Sequence, residues 1–88
     1  METHNYAQMA GLSQRKTVAG AKQIRKALTA GRVEKVFLAS NADPALTEPI
    51  AALCKEKAVP CIWVKTMSAL GQACGIEVGT AAAATLNN

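Results

Sequence analysis

The chain has 88 residues and a net charge of +4, and half of its residues are hydrophobic although only three are aromatic. A chain of this length forms one domain, over residues 1–88, and its shortage of aromatic side chains argues against binding modes built on many stacked rings. Residues 1–40 carry a net charge of +5 and residues 41–88 a net charge of −1. This concentration indicates either a surface that meets a polyanion or a solubilising face.

The cysteines and the N-terminus indicate a reducing compartment. Cys54, Cys61 and Cys74 have apolar neighbours and no C-x-x-C spacing, so we expect small core residues. His4 is the only histidine and lies in a terminus that we expect to be frayed over residues 1–4, so no metal site is predicted. The sequence shows neither the apolar segment of a signal peptide nor an apolar run of about 18 residues. We therefore expect a cytoplasmic protein that does not contact a membrane.

The first half of the chain predicts alternating helices and strands. We expect a short helix over residues 5–13, a short strand over 16–19, a helix over 20–30 that ends at Gly31, and a strand over 33–40. The helix over 20–30 has small and apolar residues at helical spacing: Ala21, Ile24, Ala27 and Leu28.

A third helix is predicted after residue 43. Asp43 can cap a helix whose first residue is Pro44. We expect Pro49 to separate a first turn from the main helix, with Thr47 as a second cap. The apolar positions of this helix are Leu46, Ile50, Leu53 and Cys54.

The remaining elements complete an α/β pattern. Residues 61–65 read as a second core strand, and Thr66 can cap a short helix that Gly75 closes. Alanine propensity favours helix over residues 78–86, but small residues also suit a buried strand, which we expect here. Alternating elements of this kind predict an α/β layer fold with about four strands and four helices. The apolar side of the short helix consists of Met67, Leu70 and Cys74.

No set of residues in the sequence has the spacing of a catalytic site. The chain lacks nucleophile-elbow and metalloprotease motifs, and Gly71, Gly75 and Gly79 do not follow a strand and open a helix. We therefore expect no enzymatic activity and no cofactor.

The stretch "AGAKQIRKAL" (19–28) combines features of an anion site. Gly20 permits close backbone approach, and the N–H groups of residues 20–23 would face an anion at the helix start. Lys22 and Lys26 are neighbours on one face with Arg25 between them. The Gln23 amide can donate to and accept from a base edge. The alternative is an ordinary solvated helix face.

A second candidate contact is "GIEVG" (75–79). If exposed, Ile76 and Val78 form a small apolar patch beside the Glu77 carboxylate, able to hold an unstacked base. Alternatively, both apolar side chains plug the core.

The chain resembles the ribosomal L7Ae/L30e superfamily from about Gly11 to Leu86, and most closely its small bacterial kink-turn-binding branch. The resemblance rests on the order and spacing of "GAKQIRKAL", "VFLASNADP", "LCKEKAVP", "LGQACGIEVG" and the alanine-rich end. It implies a three-layer α/β/α sandwich around a four-stranded mixed sheet, with the last segment as a strand. It also implies binding of RNA kink-turns, in which a three-nucleotide bulge and tandem sheared G·A pairs bend a helix sharply.

The resemblance implies roles for two segments. The superfamily signature is Gly-x-Asn-Glu-x-x-Lys, which Gly20 and Lys26 match, whereas Lys22 and Gln23 replace the usual Asn and Glu. Gln23 keeps an acceptor for a guanine edge without the charge, while Lys22 cannot accept. Ile76–Val78 match the family's Leu/Ile-Glu-Val triplet, which packs on a bulged nucleotide.

We therefore predict a monomeric, non-enzymatic, kink-turn RNA-binding protein, associated with ribosomal RNA or a riboswitch. Lys22, Arg25 and Lys26 would contact phosphates, and Gln23 would lie near the guanines with Lys22. The alternative is a protein-interaction module on the same fold, whose basic helix face meets an acidic partner.

Overall fold

The computed structural model of the chain describes residues 16–87. Within this range it has four strands and three helices: β1 (Thr17–Ala19), α1 (Ala21–Thr29), β2 (Val33–Ala39), α2 (Pro44–Lys57), β3 (Cys61–Val64), α3 (Met67–Cys74) and β4 (Ala82–Leu86). The helix predicted over 5–13, the frayed residues 1–4 and His4 lie outside the described residues.

The four strands form one mixed sheet in the order β1-β4-β2-β3. Strand β4 is antiparallel to both β1 and β2, whereas β2 and β3 are parallel. The alanine-rich segment is therefore a strand, as expected, but it covers Ala82–Leu86 and not the whole of 78–86, and it lies between β1 and β2. Its buried alanines suit this place because small side chains let helices approach both faces of the sheet closely.

Helices cover both faces of the sheet, which confirms the three-layer sandwich. On one face, α1 and α2 pack on alternate strand residues such as Val36, Leu38 and Ala84. On the other face, α3 packs on the intervening residues through Leu70, which contacts the cluster around Phe37. The strand period of two residues thus divides the core into two layers.

Three of the predicted helix caps, at Asp43, Thr66 and Gly75, are confirmed. The Asp43 carboxylate accepts a 2.9 Å hydrogen bond from the N–H of Ala45, and the Thr66 hydroxyl accepts one of 3.0 Å from Ala69 N–H. Gly75 ends α3 in the left-handed conformation at φ 80°. These local contacts fix where α2 and α3 begin and where α3 ends.

The predicted break at Pro49 is wrong, because α2 runs without interruption from Pro44 to Lys57. Pro49 cannot donate to the carbonyl of Ala45, but both residues are exposed, so the helix loses one solvent-facing hydrogen bond and continues. Thr47 is no second cap, because it is buried at 2% exposure inside the helix. Leu46, one of the four apolar positions of the predicted helix, is 45% exposed.

Strand β3, expected to be a core strand, is only partly buried. It is one of the two edge strands of the sheet, and Trp63 is 43% exposed while Val64 is buried. The cysteines are free thiols, Cys54 buried and the other two half-buried, and all three pack in the two core layers as expected. None of the helices within residues 16–87 is long and apolar enough to cross a membrane.

Candidate nucleic-acid interface

One edge of the sheet brings together four chain segments that are distant in sequence. The parallel pairing of Ala39 with Val64 puts the ends of β2 and β3 at this edge. Antiparallel pairing brings the start of β4 and the end of β1 to the same place, since Ala82 pairs with Leu38 and Ala19 pairs with Ala83. The start of α1 and the loop before β4 therefore meet at this edge.

A backbone hydrogen bond joins the two predicted contact segments. The N–H of Gly20 donates to the carbonyl of Ala82 at 3.0 Å, just where α1 begins and β4 begins. Gly20 has φ 102°, which favours glycine, and a Cβ built there would meet no atom within 4 Å. Glycine at this position thus allows the positive φ angle, and its lack of a side chain leaves open space in front of the helix start.

The start of α1 has the features of an anion site, with one correction. The Gly20 N–H is bonded to Ala82 and is not available to a ligand, contrary to the prediction for residues 20–23. The N–H groups of Ala21, Lys22 and Gln23 lie in the first turn, where a helix provides no backbone acceptor. Among the described residues, no side chain caps this helix and no acidic residue occupies its first turn. No cap or acidic side chain of its own first turn therefore offsets the positive end of the dipole of this helix.

The basic residues of α1 border a shallow cavity. Lys22, Arg25 and Lys26 are all exposed, and together with Thr29 and Ala30 they line an open depression of about 440 Å³. The Thr29 hydroxyl donates to the carbonyl of Arg25 at 2.9 Å, within the helix. The three predicted cations thus share one surface, as expected from their spacing.

The fold adds a fourth cation, Arg32, that the motif did not include. Arg32 lines a second cavity, of about 240 Å³, with Gln23, Lys26 and the strand residues Val18 and Leu86. Its backbone is held on both sides, because its N–H donates to Ala27 and its carbonyl accepts from Asn87. In sequence Arg32 follows the glycine that ends the helix, so helical spacing could not associate it with Lys26.

The loop before β4 presents its side chains to solvent. Ile76 is 38% exposed, Val78 is 70% exposed, and Glu77 is exposed. The interpretation of this triplet as a core plug is therefore wrong. At each end the loop is bonded to α3: Ile76 N–H donates to the carbonyl of Gly71 at 3.1 Å, and Thr80 N–H donates to that of Met67 at 3.2 Å.

In residues 16–87 there is no group of three or more His, Cys, Asp or Glu side chains that could hold a metal ion. Burial raises the pKa of all three cysteine thiols, that of Cys54 to about 12, so the thiolate form that acts as a nucleophile is disfavoured. The surface described above is suited to binding.

The chain is similar to bacterial proteins of nearly the same length. It is 46% identical over 69 residues to an "RNA-binding protein" of Bacillus pumilus, covering 78% of this chain and 84% of that protein. It is 42% identical over 71 residues to "RNA-binding protein YbxF" of Geobacillus stearothermophilus, covering 81% of this chain and 87% of that protein.

Solved structures share the fold. A Giardia lamblia 15.5 kD RNA-binding protein superposes with a TM-score of 0.81 at 30% identity, over 89% of this chain and 66% of the Giardia chain. A Bacillus halodurans protein of unknown function has a TM-score of 0.80 at 22% identity, over 90% of this chain and 80% of that one, and supports the fold alone. The profile of the ribosomal protein L7Ae/L30e/S12e/Gadd45 family matches residues 3–88, and the chain belongs to that family.

Proposed function

We propose that this protein binds RNA and recognises a kink-turn, the bent helix formed by a three-nucleotide bulge and tandem sheared G·A pairs. The observation that carries the proposal is the Gly20–Ala82 hydrogen bond, which brings the basic start of α1 next to the loop containing Ile76–Val78. A cationic helix start and an apolar patch, side by side, match the two parts of a kinked RNA. Relatives described as RNA-binding proteins support the RNA-binding part of this proposal.

The cations bind the phosphates on both sides of the bend. Lys22, Arg25 and Lys26 border one cavity, and Arg32 extends the basic surface into a second cavity that shares Lys26. The N–H groups of the first turn, which have no acceptor within the helix, and the positive end of the helix dipole add to this attraction. Such contacts set register and strength of binding and carry no base information.

Two groups recognise features specific to the kink. Gln23, in the first turn of α1, offers an amide oxygen and an amide N–H₂ to the edges of the sheared G·A pairs. Ile76 and Val78 cover the extruded base, which has lost its stacking partners. Because only the bent RNA presents both features to this surface, the protein stabilises the kinked state by its differential affinity. The protein acts as a monomer and catalyses no reaction.

Binding to matched RNAs tests this function. We would titrate the protein into a kink-turn duplex and into the same duplex without the bulge, and measure affinity by gel shift and calorimetry. We expect clear preference for the kink-turn. If three to five phosphates are contacted, log K should fall against log[salt] with a slope of about −3 to −4.5.

Equal binding to both duplexes would contradict kink-turn recognition and leave only charge attraction. Absence of binding to either RNA would favour the alternative, in which the basic face of α1 meets an acidic partner protein. We propose ribosomal RNA or a riboswitch as the physiological target. Sequencing of the RNAs that co-purify with the tagged protein from cells would identify which of these contains the kink-turn.

A further inference from the structure

Gly71 lies where α3 and the loop before β4 cross. It is buried, and a Cβ built on it would overlap the carbonyl oxygen of Val78. The same Cβ would lie 3.0 Å from the carbonyl carbon of Val78 and 3.0 Å from the Cα of Gly79. Any side chain at position 71 would therefore push against loop backbone, which cannot rotate out of the way as a flexible side chain does.

Gly79 meets the same helix one turn earlier. A Cβ at Gly79 would lie 3.1 Å from the carbonyl carbon and from the Cβ of Met67. The helix residues at these two close contacts, Gly71 and Met67, also accept the two hydrogen bonds from this segment. The Gly71 carbonyl accepts from the N–H of Ile76, and the Met67 carbonyl accepts from the N–H of Thr80. Two glycines and two hydrogen bonds thus hold the loop close against α3.

Burial of loop side chains does not account for this close contact. Val78 is 70% exposed even though its carbonyl touches the helix, and Ile76 is 38% exposed. Glycine inside a helix also costs stability relative to alanine. The sequence accepts a poorer helix former at position 71, and the result is a loop whose apolar side chains are held outward.

We propose that Gly71 is a positioning residue of the RNA site: its lack of a side chain seats residues 75–79 on α3 and so aims Ile76 and Val78 at the extruded base. This inference rests on the proposed kink-turn function. Gly71 itself does not touch the RNA.

The test is Gly71→Ala with Gln72→Ala as matched control, an exposed neighbour on the same helix. Hydrogen exchange should show faster exchange of the Thr80 amide in Gly71→Ala only, because its bond to Met67 depends on the seated loop. Kink-turn affinity should fall about tenfold, while the salt slope stays unchanged because α1 is unaltered. Unchanged exchange and affinity in a folded Gly71→Ala protein would overturn the proposal.

A double-mutant cycle with Val78→Ala separates positioning from general destabilisation. In the wild-type background Val78→Ala should weaken kink-turn binding, whereas in Gly71→Ala it should cause no further loss, because Val78 no longer reaches the base. Independent, additive losses would refute the positioning role. Should Gly71→Ala not fold, the same cycle is run with Gly79→Ala, whose Cβ makes the milder contact with Met67.

The exchange measurement needs no RNA, so it is independent of the proposed function. If the wild-type protein shows no preference for the kink-turn, the proposed function fails and the aiming of the loop at a base fails with it. If the wild type prefers the kink-turn but the Gly71→Ala protein binds it equally well with its loop displaced, only the positioning role fails.

Discussion

The side chain of Asn41 accepts a 2.9 Å hydrogen bond from the N–H of Met67. This contact joins the loop after β2 to the first turn of α3, at the same sheet edge as the candidate interface. The carbonyl of Met67 in turn accepts a hydrogen bond from the N–H of Thr80. The backbone of Met67 is therefore bonded both to the loop after β2 and to the loop before β4.

Asn41→Ala should destabilise the protein by about 1 kcal/mol, because it removes the partner of an N–H in the first turn of α3. Asn41→Asp keeps an acceptor oxygen and places a negative charge at a helix N-terminus, so it should retain most of the stability. Urea unfolding of the three proteins measures the difference. Equal stability of the alanine and aspartate variants would show that the hydrogen bond contributes nothing.

Lys26→Ala should weaken binding to kink-turn RNA and reduce the magnitude of the salt slope by about 0.9, the value for one lost phosphate contact. Lys26 borders both cavities of the basic surface, so its removal affects both. Lys57→Ala, at the end of α2 and outside both of these cavities, is the matched charge control. The slope of log K against log[salt] is obtained from affinities measured at low to moderate salt. A slope for Lys26→Ala identical to that for Lys57→Ala would contradict the phosphate contact.

Gln23→Ala should reduce the preference of the protein for RNA with sheared G·A pairs more than it reduces the general electrostatic attraction to RNA. Loss of a base contact costs about 1–3 kcal/mol, and this loss should be confined to RNA with sheared G·A pairs. Gln23→Glu keeps an acceptor and should retain more of the preference. The preference is the ratio of two affinities, measured by titrating each protein with a kink-turn and with a version that has Watson–Crick pairs in place of the G·A pairs. If alanine lowers both affinities equally, Gln23 does not read the bases.

Pro49→Ala should stabilise the protein by about 2 kcal/mol. Alanine restores the N–H that can donate to the carbonyl of Ala45 within α2, and this gain exceeds the effect of a less restricted unfolded chain. Pro44→Ala is the control, because the N–H at the first helical position has no partner within the helix. Thermal unfolding compares the two variants, and a stabilisation no greater than that of Pro44→Ala would contradict this account of α2.

The stability of the protein should fall as pH rises above about 9. Burial, reinforced by the neighbouring thiol of Cys61, raises the pKa of Cys54 from 9.0 to about 12. Between these values the unfolded chain loses a proton that the folded chain retains, so ionisation favours unfolding. The contribution is fully present below pH 9 and is lost as pH approaches 12.

Comparison with Cys54→Ala isolates this contribution from other groups that titrate at high pH. From pH 8 to pH 10 the free energy of unfolding should fall by about 1 kcal/mol more in the wild type than in the variant. Parallel pH dependences would show that Cys54 ionises equally in both states.

Local contacts were predictable from the sequence, and contacts between distant segments were not. The caps at Asp43, Thr66 and Gly75 involve residues within one or two turns of each other, so spacing alone predicts them. The effect of Pro49 does not follow from the sequence, because its cost depends on which side of α2 faces solvent. The sequence does not associate Arg32 with Lys26 either, because their nearness arises from the return of the chain after α1.

The sequence by itself determined that the stretch 19–28 contains the start of a basic helix and that Ile76–Val78 form an apolar and acidic triplet, because both depend on neighbours along the chain. Alanine propensity left residues 78–86 open, since a short alanine run can be helix or strand. Only the tertiary structure decided that Ala82–Leu86 is the second strand of the sheet, between β1 and β2. That pairing brings Gly20 to Ala82, and a hydrogen bond between segments so far apart in sequence depends on the packed sheet.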